Sequence, residues 1–276
     1  MTLLATPYLL RPLIMLVALG TSAGAVGTLV HLRRAEFSAE AVSHAVFPGV
    51  VAGFIVAGLD GIVPGGAVAG AAAAAVLTWI GRAAGRLDEA GTALVLSTFY
   101  AFGLVASLAH ADKSGQLEAL MFGRLLELGP GRLGQALVAC AVAAVLLAAT
   151  WPAQLAVAFD RTSARASGLS LVRCDAIFNA AVAATVVAGA AAVGVLLVVG
   201  YIVIPAATAR LFARTVGAMA WGAVAVAVAG SIAGMVVVAS PLPRPVSPQA
   251  IVVMSLLAGF ALTLLAKGVN VAWTRS

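Results

Sequence analysis

An acid, an imidazole and a proline follow one another at intervals of four residues in the stretch Glu40-Ala-Val-Ser-His44-Ala-Val-Phe-Pro48-Gly49. In a helix, residues four apart share a face, with their Cβ atoms roughly 5 to 6 Å apart. Because Pro48 has no N–H, the carbonyl of His44 loses its usual helical hydrogen-bond donor. A carboxylate, an imidazole and a free carbonyl oxygen on one helix face are suitable ligands for a divalent cation. The stretch therefore predicts a metal site built on Glu40 and His44.

The same stretch has a second interpretation in which no ion binds. Glu40 follows Arg33 and Arg34 closely enough to form a salt bridge with one of them at a helix end. His44 would then be a hydrogen-bonded histidine inside a helix bundle. Glu36 lies one turn earlier, where a salt bridge to the arginines is the favoured role. The residues alone leave both interpretations open.

A second stretch, from Phe159 to Leu169, predicts a short helix outside the apolar segments. Asp160 is a good N-terminal cap, and Gly168 is a good C-terminal stop. A short capped helix suits docking into a groove of a partner protein. Such helices also simply connect longer elements, so the pattern by itself does not decide between the two roles.

The elements that must position these residues are membrane spans. The chain has 276 residues, of which 63% are hydrophobic and only 9% charged, whereas about 25% charged residues is usual in soluble domains. This composition predicts one all-α domain over residues 1–276, a polytopic bundle of membrane helices. The basic residues lie at the ends of apolar runs and form no stripe, which argues against binding nucleic acid. Cys140 and Cys174 have no metal-site or redox spacing and are expected to be unpaired.

A span needs roughly 20 apolar residues, and the interruptions of the apolar runs predict nine of them. The continuous run 174–214 is about twice as long as one span, so we divide it near Gly189 to Gly194. A broken or re-entrant arrangement at this point would reduce the number to eight. The predicted spans are 9–30, 38–59, 63–81, 91–110, 133–151, 174–192, 195–213, 217–239 and 249–267.

The distribution of positive charge predicts the orientation. Most of the 16 Lys and Arg residues fall in the loops on one side of this arrangement, and the cytoplasmic side of a membrane protein is the one rich in Lys and Arg. We therefore expect a multi-pass membrane protein with the N-terminus outside and the C-terminus in the cytoplasm. On the outer side, Leu117 to Leu128 are expected to form a short helix lying at the membrane surface. On the inner side, Asp175 and Asn179 are expected to cap the sixth span.

No pattern typical of an enzyme occurs in the chain. There is no Walker A sequence, no G-x-S-x-G, no H-E-x-x-H and no paired-cysteine zinc site. The chain is therefore not expected to hydrolyse ATP by the Walker A route, and the sequence supports no catalytic activity.

Three stretches together resemble the permease subunits of the bacterial ABC importers for zinc, manganese and iron. The first stretch is similar to that family's D-A-x-S-H-A-x-x-P-G segment, and Phe159 to Leu169 is similar to its F-D-P-x-x-A-R-A-x-G-L loop. The run Gly194 to Arg210, with Pro205, is similar to its G-V-L-L-V-V-x-x-x-x-P-A-A-T-A-R segment. Weaker similarities at Ser97–Gly103 and Leu120–Gly123 extend the resemblance along the chain.

The resemblance implies an ATP-driven importer of a divalent transition metal, zinc or manganese rather than iron, that works by alternating access. It implies a transport subunit that holds no permanent cofactor and forms a homodimer in the lipid bilayer of the bacterial cytoplasmic membrane. Its partners would be a separate cytoplasmic ATPase and an external metal-binding protein. The transported ion would contact Glu40 and His44, although the family has Asp where this chain has Glu40. Arg161 likewise replaces the family's proline. The coupling loop, which would dock on the ATPase, retains Asp160, Ala164, Arg165, Ala166 and Gly168.

Three other functions are also compatible with the sequence. An ABC permease for a siderophore or another metal chelate would need a wide path, and Glu40 and His44 would then tolerate mutation. A carrier driven by an ion gradient would work without an ATPase and would use Glu40 as a proton relay. A structural membrane subunit would transport nothing.

Overall fold

The computed structural model describes residues 7–83, 89–110, 121–240 and 246–273. The described residues form α-helices, short 3-10 turns and loops, and no strand occurs among them. The all-α fold class is therefore confirmed. The helices are α1 (Pro7–Arg33), α2 (Glu36–Ala57), α3 (Ile62–Ala83), α4 (Glu89–Leu108), α5 (Pro130–Phe159), α6 (Arg161–Ala166), α7 (Leu171–Ala190), α8 (Val198–Arg210), α9 (Val216–Val238) and α10 (Pro248–Trp273).

Seven helical stretches among the described residues are long and apolar enough to cross a membrane, and α8 is a shorter apolar helix. One of the seven, Glu36–Ala83, contains both α2 and α3. Each of these helices has 22 residues and would extend about 33 Å at 1.5 Å per residue, which is enough to cross the hydrocarbon core alone. Counting α2 and α3 separately gives eight helices long enough to span, and α8 is a ninth, shorter apolar helix. This agrees with the predicted eight to nine.

A tight glycine-mediated contact makes α2 and α3 an antiparallel hairpin. One 3-10 turn, Gly58–Gly61, joins the two helices. Gly49 lies against the backbone of Gly65, and Gly53 lies against that of Gly61. A Cβ atom at any of these positions would collide with the opposing backbone, so the hairpin depends on small residues.

The long apolar run divides where the sequence predicts it to divide. Helix α7 ends at Ala190, and α8 begins at Val198, with Gly194 in a left-handed conformation (φ +96°) between them. Helix α8 has only 13 residues and contains Pro205, and its Tyr201 hydroxyl forms a buried hydrogen bond with the hydroxyl of Ser231 in α9. The turn over residues 191–197 therefore separates α7 from the short α8.

Helix α5 is longer than predicted. The sequence predicts a span over 133–151, whereas the helix runs from Pro130 to Phe159 and includes Pro152. Pro152 costs one helical hydrogen bond but does not end the helix. The additional two turns carry the chain directly to the coupling loop at Asp160.

The outer segment before α5 differs from its predicted form. Residues 117–120 lie outside the described part. Among residues 121–128, Met121 and Phe122 are helical and Leu125–Glu127 form a 3-10 turn. Leu125 and Leu128 are 1% and 3% exposed, because they pack in the main hydrophobic core. The prediction that one surface helix continues to Leu128 is therefore wrong, because the described chain leaves the helical conformation after Phe122. The apolar side chains of Leu125 and Leu128 are instead buried in the helix bundle.

Helix α1 lies inside the bundle and packs against α5, α7, α8 and α9. Its closest approach to α9 is at Gly24, where an added Cβ would lie 2.7 Å from the backbone nitrogen of Val224. The main core extends from Met15 in α1 to Leu256 in α10. Arg33, the last residue of α1, therefore belongs to a helix that packs at the centre of the bundle.

Candidate functional site

Helix α2 presents Glu40 and His44 on one face, as the spacing predicts. Glu40 is exposed and His44 is half-buried, while Ala41, Val42 and Ser43 are buried. Glu40 lies in the second turn of α2, so the candidate site lies close to the end of the helix that begins at Glu36.

His44 has an imidazole nitrogen with nothing to bind among the described residues. Its Nδ1 atom is buried and has no hydrogen-bond partner there. The ring makes an edge-to-face contact with Tyr100 of α4, with centroids 5.2 Å apart, and the carboxylate of Glu40 is near enough to interact with it electrostatically. Buried polar atoms are usually paired, so this nitrogen is available for a ligand. The alternative of a hydrogen-bonded histidine inside the bundle therefore finds no support at this atom among the described residues.

The predicted salt bridges near Glu40 are also different. Arg33 forms its ion pair with Asp175, and Glu36 pairs with His31, with 3.3 Å between Oε1 and Nδ1. The described ion pairs therefore leave the carboxylate of Glu40 without a basic partner. No group of three or more His, Cys, Asp or Glu side chains that could hold a metal occurs in the described ranges. Glu40 and His44 are thus two ligands without a third from the same described chain.

An apolar groove continues the face that carries Glu40 and His44. It begins at Pro48 and runs between α2, α3 and α4, with a volume of about 810 Å³. Ala52 and Val56 continue the four-residue spacing along its floor, and Asp60 lies at its far end. The groove and the two candidate ligands therefore lie along one side of α2.

The predicted coupling helix is present as α6, and Asp160 caps it as expected. The Asp160 carboxylate accepts hydrogen bonds from the backbone N–H of Thr162 at 2.8 Å and of Ser163 at 3.1 Å, and from the Ser163 hydroxyl at 2.6 Å. These bonds favour the ionised carboxylate and lower the pKa of Asp160, with the Ser163 hydroxyl contributing most.

Gly168 ends the coupling helix as predicted. It has φ +84°, its N–H donates to the carbonyl of Arg165, and the N–H of Leu169 donates to the carbonyl of Ala164. These two bonds form a Schellman motif, which favours glycine at the left-handed position. Ala164 is buried against α5 and α7, whereas Arg165 and Ala166 are exposed. The helix therefore has one face fixed to the bundle and one face free.

An ionic cluster at the base of α6 was not predicted. The sequence predicts Asp175 as a cap, but Ser170 caps α7 by accepting from the N–H of Arg173. The carboxylate of Asp175 instead binds Arg33 and Arg161. Hydrogen bonding to Asp175 raises the pKa of Arg161.

Two further polar side chains were missed or misassigned. Gln154 of α5 accepts from Arg33 and donates to the carbonyl of Cys174 at 3.1 Å. Asn179 donates to the Thr78 hydroxyl of α3 at 3.0 Å, so it joins two helices and is not a cap. The sequence shows each of these as a polar residue inside an apolar run. Such a residue is expected to have a hydrogen-bond partner, but the sequence does not identify which residue that partner is.

The chain matches the model of the ABC 3 transport family over residues 5–265. A manganese transport system membrane protein of Listeria monocytogenes is 27% identical over 77% of this chain and 75% of its own length. A zinc transport system membrane protein of Treponema pallidum is 28% identical over 91% and 85%. A probable iron transport system membrane protein of Haemophilus influenzae is 29% identical over 74% and 71%.

Two solved structures share the fold. The PsaBC complex of Streptococcus pneumoniae with a Fab aligns with a TM-score of 0.78 at 24% identity, over 95% of this chain and 92% of the matched one. An inward-facing putative metal-chelate type ABC transporter aligns with a TM-score of 0.68 at 15% identity, over 93% and 86%. The family match covers nearly the whole chain and confirms the resemblance seen in the three motifs. The chain is a multi-pass membrane permease that belongs to the ABC 3 transport family.

Proposed function

We propose that this chain is the permease subunit of an ATP-driven importer that moves a divalent transition metal, zinc or manganese rather than iron, into the cytoplasm. The observation that carries the proposal is the pairing of Glu40 with His44 on one face of α2, with the buried His44 Nδ1 unpartnered among the described residues. Carboxylate and imidazole ligands suit all three metals. The names of the relatives, for manganese, zinc and iron transport, agree with this ligand set.

A second copy of the chain would complete the metal site. One chain offers two side-chain ligands, whereas zinc usually has four. In a twofold dimer the same surface meets itself, so two Glu40–His44 pairs would meet near the axis. The exposure of Glu40 and the groove beside it support this arrangement, because both lie on a side of α2 that a second copy can reach.

The ATPase would dock on the coupling helix α6 from the cytoplasm. The exposed side chains of Arg165 and Phe159, the latter 69% exposed, offer a charged and an apolar contact on the free face of the loop. An external binding protein would deliver the metal at the opposite side. This arrangement requires the N-terminus outside and the C-terminus in the cytoplasm, as the positive charges predict.

The metal is a transported substrate and no resident cofactor is proposed. Binding must be strong enough to select the ion and weak enough to release it, and a half-exposed site with two ligands per chain fits that requirement. Glu40 in place of the family's Asp moves the carboxylate outward by about one methylene. We expect this change to alter the order of metal preference rather than the type of ligand.

Uptake by the purified permease, reconstituted in vesicles with its ATPase and binding protein, tests the proposal. Glu40→Ala and His44→Ala should each lower ATP-dependent uptake of zinc or manganese at least tenfold. Glu89→Ala is the control, since Glu89 is an exposed carboxylate in the first turn of α4, away from the junction of α1 and α2. Its uptake should equal that of the parental protein.

Three results would contradict the proposal and point to the other functions. Parental uptake in both Glu40→Ala and His44→Ala would favour a chelate as the substrate. Uptake by the permease alone, driven by a proton gradient without the ATPase, would favour a carrier. No uptake under any of these conditions, from protein that is folded and correctly assembled, would favour a structural subunit.

A further inference from the structure

One carboxylate joins the coupling helix to the central helix of the bundle. Asp175 Oδ1 accepts from Arg33 Nη1 at 3.0 Å and from Arg161 Nη1 at 3.1 Å. Its second oxygen, Oδ2, accepts from Arg161 Nη2 at 2.7 Å. Arg161 is therefore bound through both of its terminal nitrogens, which fixes its orientation as well as its distance. Oδ1 of Asp175 thus contacts the guanidinium groups of both arginines.

The cluster is protected from water on the Arg33 side. The side chain of Arg33 is 9% exposed, and that of Asp175 is 18% exposed. Arg33 lies over the ring of Phe178, 4.5 Å from its centroid, and donates to Gln154. Arg161 is 38% exposed and lies at the outer edge of the cluster. A charge pair in such surroundings holds its partners more firmly than a solvated surface pair, because water and salt screen it less.

Arg33 is also directly connected to the helix that carries the candidate metal ligands. It is the last residue of α1, and only Arg34 and Ala35 separate it from α2. Arg34 has φ +54°, and the N–H of Ala35 donates to the carbonyl of Val30 at 2.9 Å, so this connection is a tight turn. A displacement of Arg33 is therefore passed to the start of α2, less than two turns before Glu40.

The coupling helix reaches α1 through this carboxylate. Helix α6 packs against α5 and α7, and Asp175 on α7 lies between Arg161 of α6 and Arg33 of α1. Asp175 therefore connects the proposed ATPase contact on α6 to the turn that precedes the candidate metal site, although these parts are far apart in the sequence. Arg161 stands where the resembling family has proline, which could not form this pair.

We propose that Asp175 is a positioning residue that transmits movement of the coupling helix α6 to the α1–α2 turn and so to Glu40 and His44. This inference rests on the proposed function, because it assigns to Arg161 and Asp175 the link between ATP hydrolysis and movement of the ion. A purely structural role predicts lower stability only. A transmitting role predicts in addition that ATP is hydrolysed without a corresponding import of metal.

Arg161 variants test the link without leaving Arg33 unpaired. In the reconstituted complex, Arg161→Ala should lower the number of ions imported per ATP hydrolysed about fivefold or more, the lower range of measured coupling effects. Arg161→Lys should recover part of the ratio, since lysine keeps the charge but lacks the planar fork. Arg173→Ala is the matched control, because Arg173 is exposed on α7 two residues before Asp175. An unchanged ratio in Arg161→Ala would overturn the inference.

A second measurement separates this inference from the proposed function. In the permease alone, Asp160→Ala should loosen α6 and thereby speed amide hydrogen exchange at residues 31–36. In the Arg161→Ala background the same substitution should have no effect on those amides, so the two changes should be non-additive. Additive effects would overturn the link even if metal import is demonstrated. Failure of the parental complex to import metal, with non-additive exchange, would contradict the proposed function and leave the physical link established.

Discussion

The candidate metal pair and the ionic cluster are two groups of charged residues in one apolar protein, and they differ in whether the carboxylate has a basic partner among the described residues. Both oxygens of Asp175 accept from arginine, and Arg33 also donates to Gln154, although Arg33 Nε has no hydrogen-bond partner among the described residues. Glu40 is exposed without a described ion pair, and the buried nitrogen of His44 has no partner among the described residues. The difference separates charges that hold helices together from charges that are available for an ion. The following predictions test that distinction.

The largest effect is expected when the ionic cluster loses its carboxylate. Asp175→Asn leaves Arg33 and Arg161 facing each other without a negative charge, and the Arg33 side chain is only 9% exposed. Breaking a buried pair in this way costs about 3–5 kcal/mol. The free energy of unfolding in detergent, from denaturant titration, should fall by that amount. Arg173→Ala should leave it unchanged, and equal stability of the two variants would mean that the cluster does not hold the helices.

The opposite outcome is expected at His44. Replacing it by leucine removes a buried Nδ1 atom that has no partner among the described residues, and an unpaired buried polar group costs about 1–3 kcal/mol. The free energy of unfolding of the His44→Leu protein should therefore stay the same or rise by about 1 kcal/mol, even though metal import is lost. A loss of stability as large as that of Asp175→Asn would contradict the distinction between the two regions.

A smaller effect is expected at the end of the coupling helix. Gly168→Ala places a Cβ atom on a residue with φ +84°, and nothing lies within 4 Å of that atom, so only backbone strain is added. The strain costs about 1 kcal/mol. Amide exchange of α6 should become faster while that of α7 is unchanged. Gly217→Ala, also in open space but without a positive φ, is the control that should show no change.

The smallest effect is expected from protonation of Asp160. Its pKa is lowered in the folded state, so the cap contributes its full stabilisation above the ordinary carboxyl pKa and loses it as the pH falls through the lowered value. The mobility of a spin label at residue 167 should therefore rise only in the acidic range below the ordinary pKa. Asp160→Asn keeps the capping oxygen without a titrating proton, and its mobility should show no such transition. A transition of the same size in both proteins would assign it to another group.

Local patterns in the sequence predicted the helices and the two ends of the coupling helix well. A cap at Asp160, a left-handed stop at Gly168 and a break near Gly194 each depend on residues close together in the chain. The face shared by Glu40 and His44 follows from their spacing in the same way. These features are decided by backbone conformation within one or two turns, so the sequence contains the information directly.

The pairing of distant residues could not be predicted in this way. Arg33 and Asp175 are 142 positions apart, and two nearer acids, Glu36 and Glu40, competed for the same arginine. Which acid pairs with Arg33 depends on how α1, α5 and α7 pack against one another. The apolar residues Leu125 and Leu128 likewise suit either the membrane surface or the core, and only the packing of the bundle decides. The function of Glu40 and His44 stays a prediction for the same reason, because their remaining ligands would come from another chain.

The outer segment and the break between α7 and α8 are built against each other. Gly123 and Gly194 both have positive φ and their backbones touch, and the N–H of Leu196 donates to the carbonyl of Met121 at 3.2 Å. Gln249 of α10 donates to the carbonyl of Gly123 at 3.0 Å. A chimera that exchanges the outer segment with a relative's must therefore carry the relative's residues around positions 194 and 249 as well. These three stretches, far apart in the chain, are expected to be inherited as one unit.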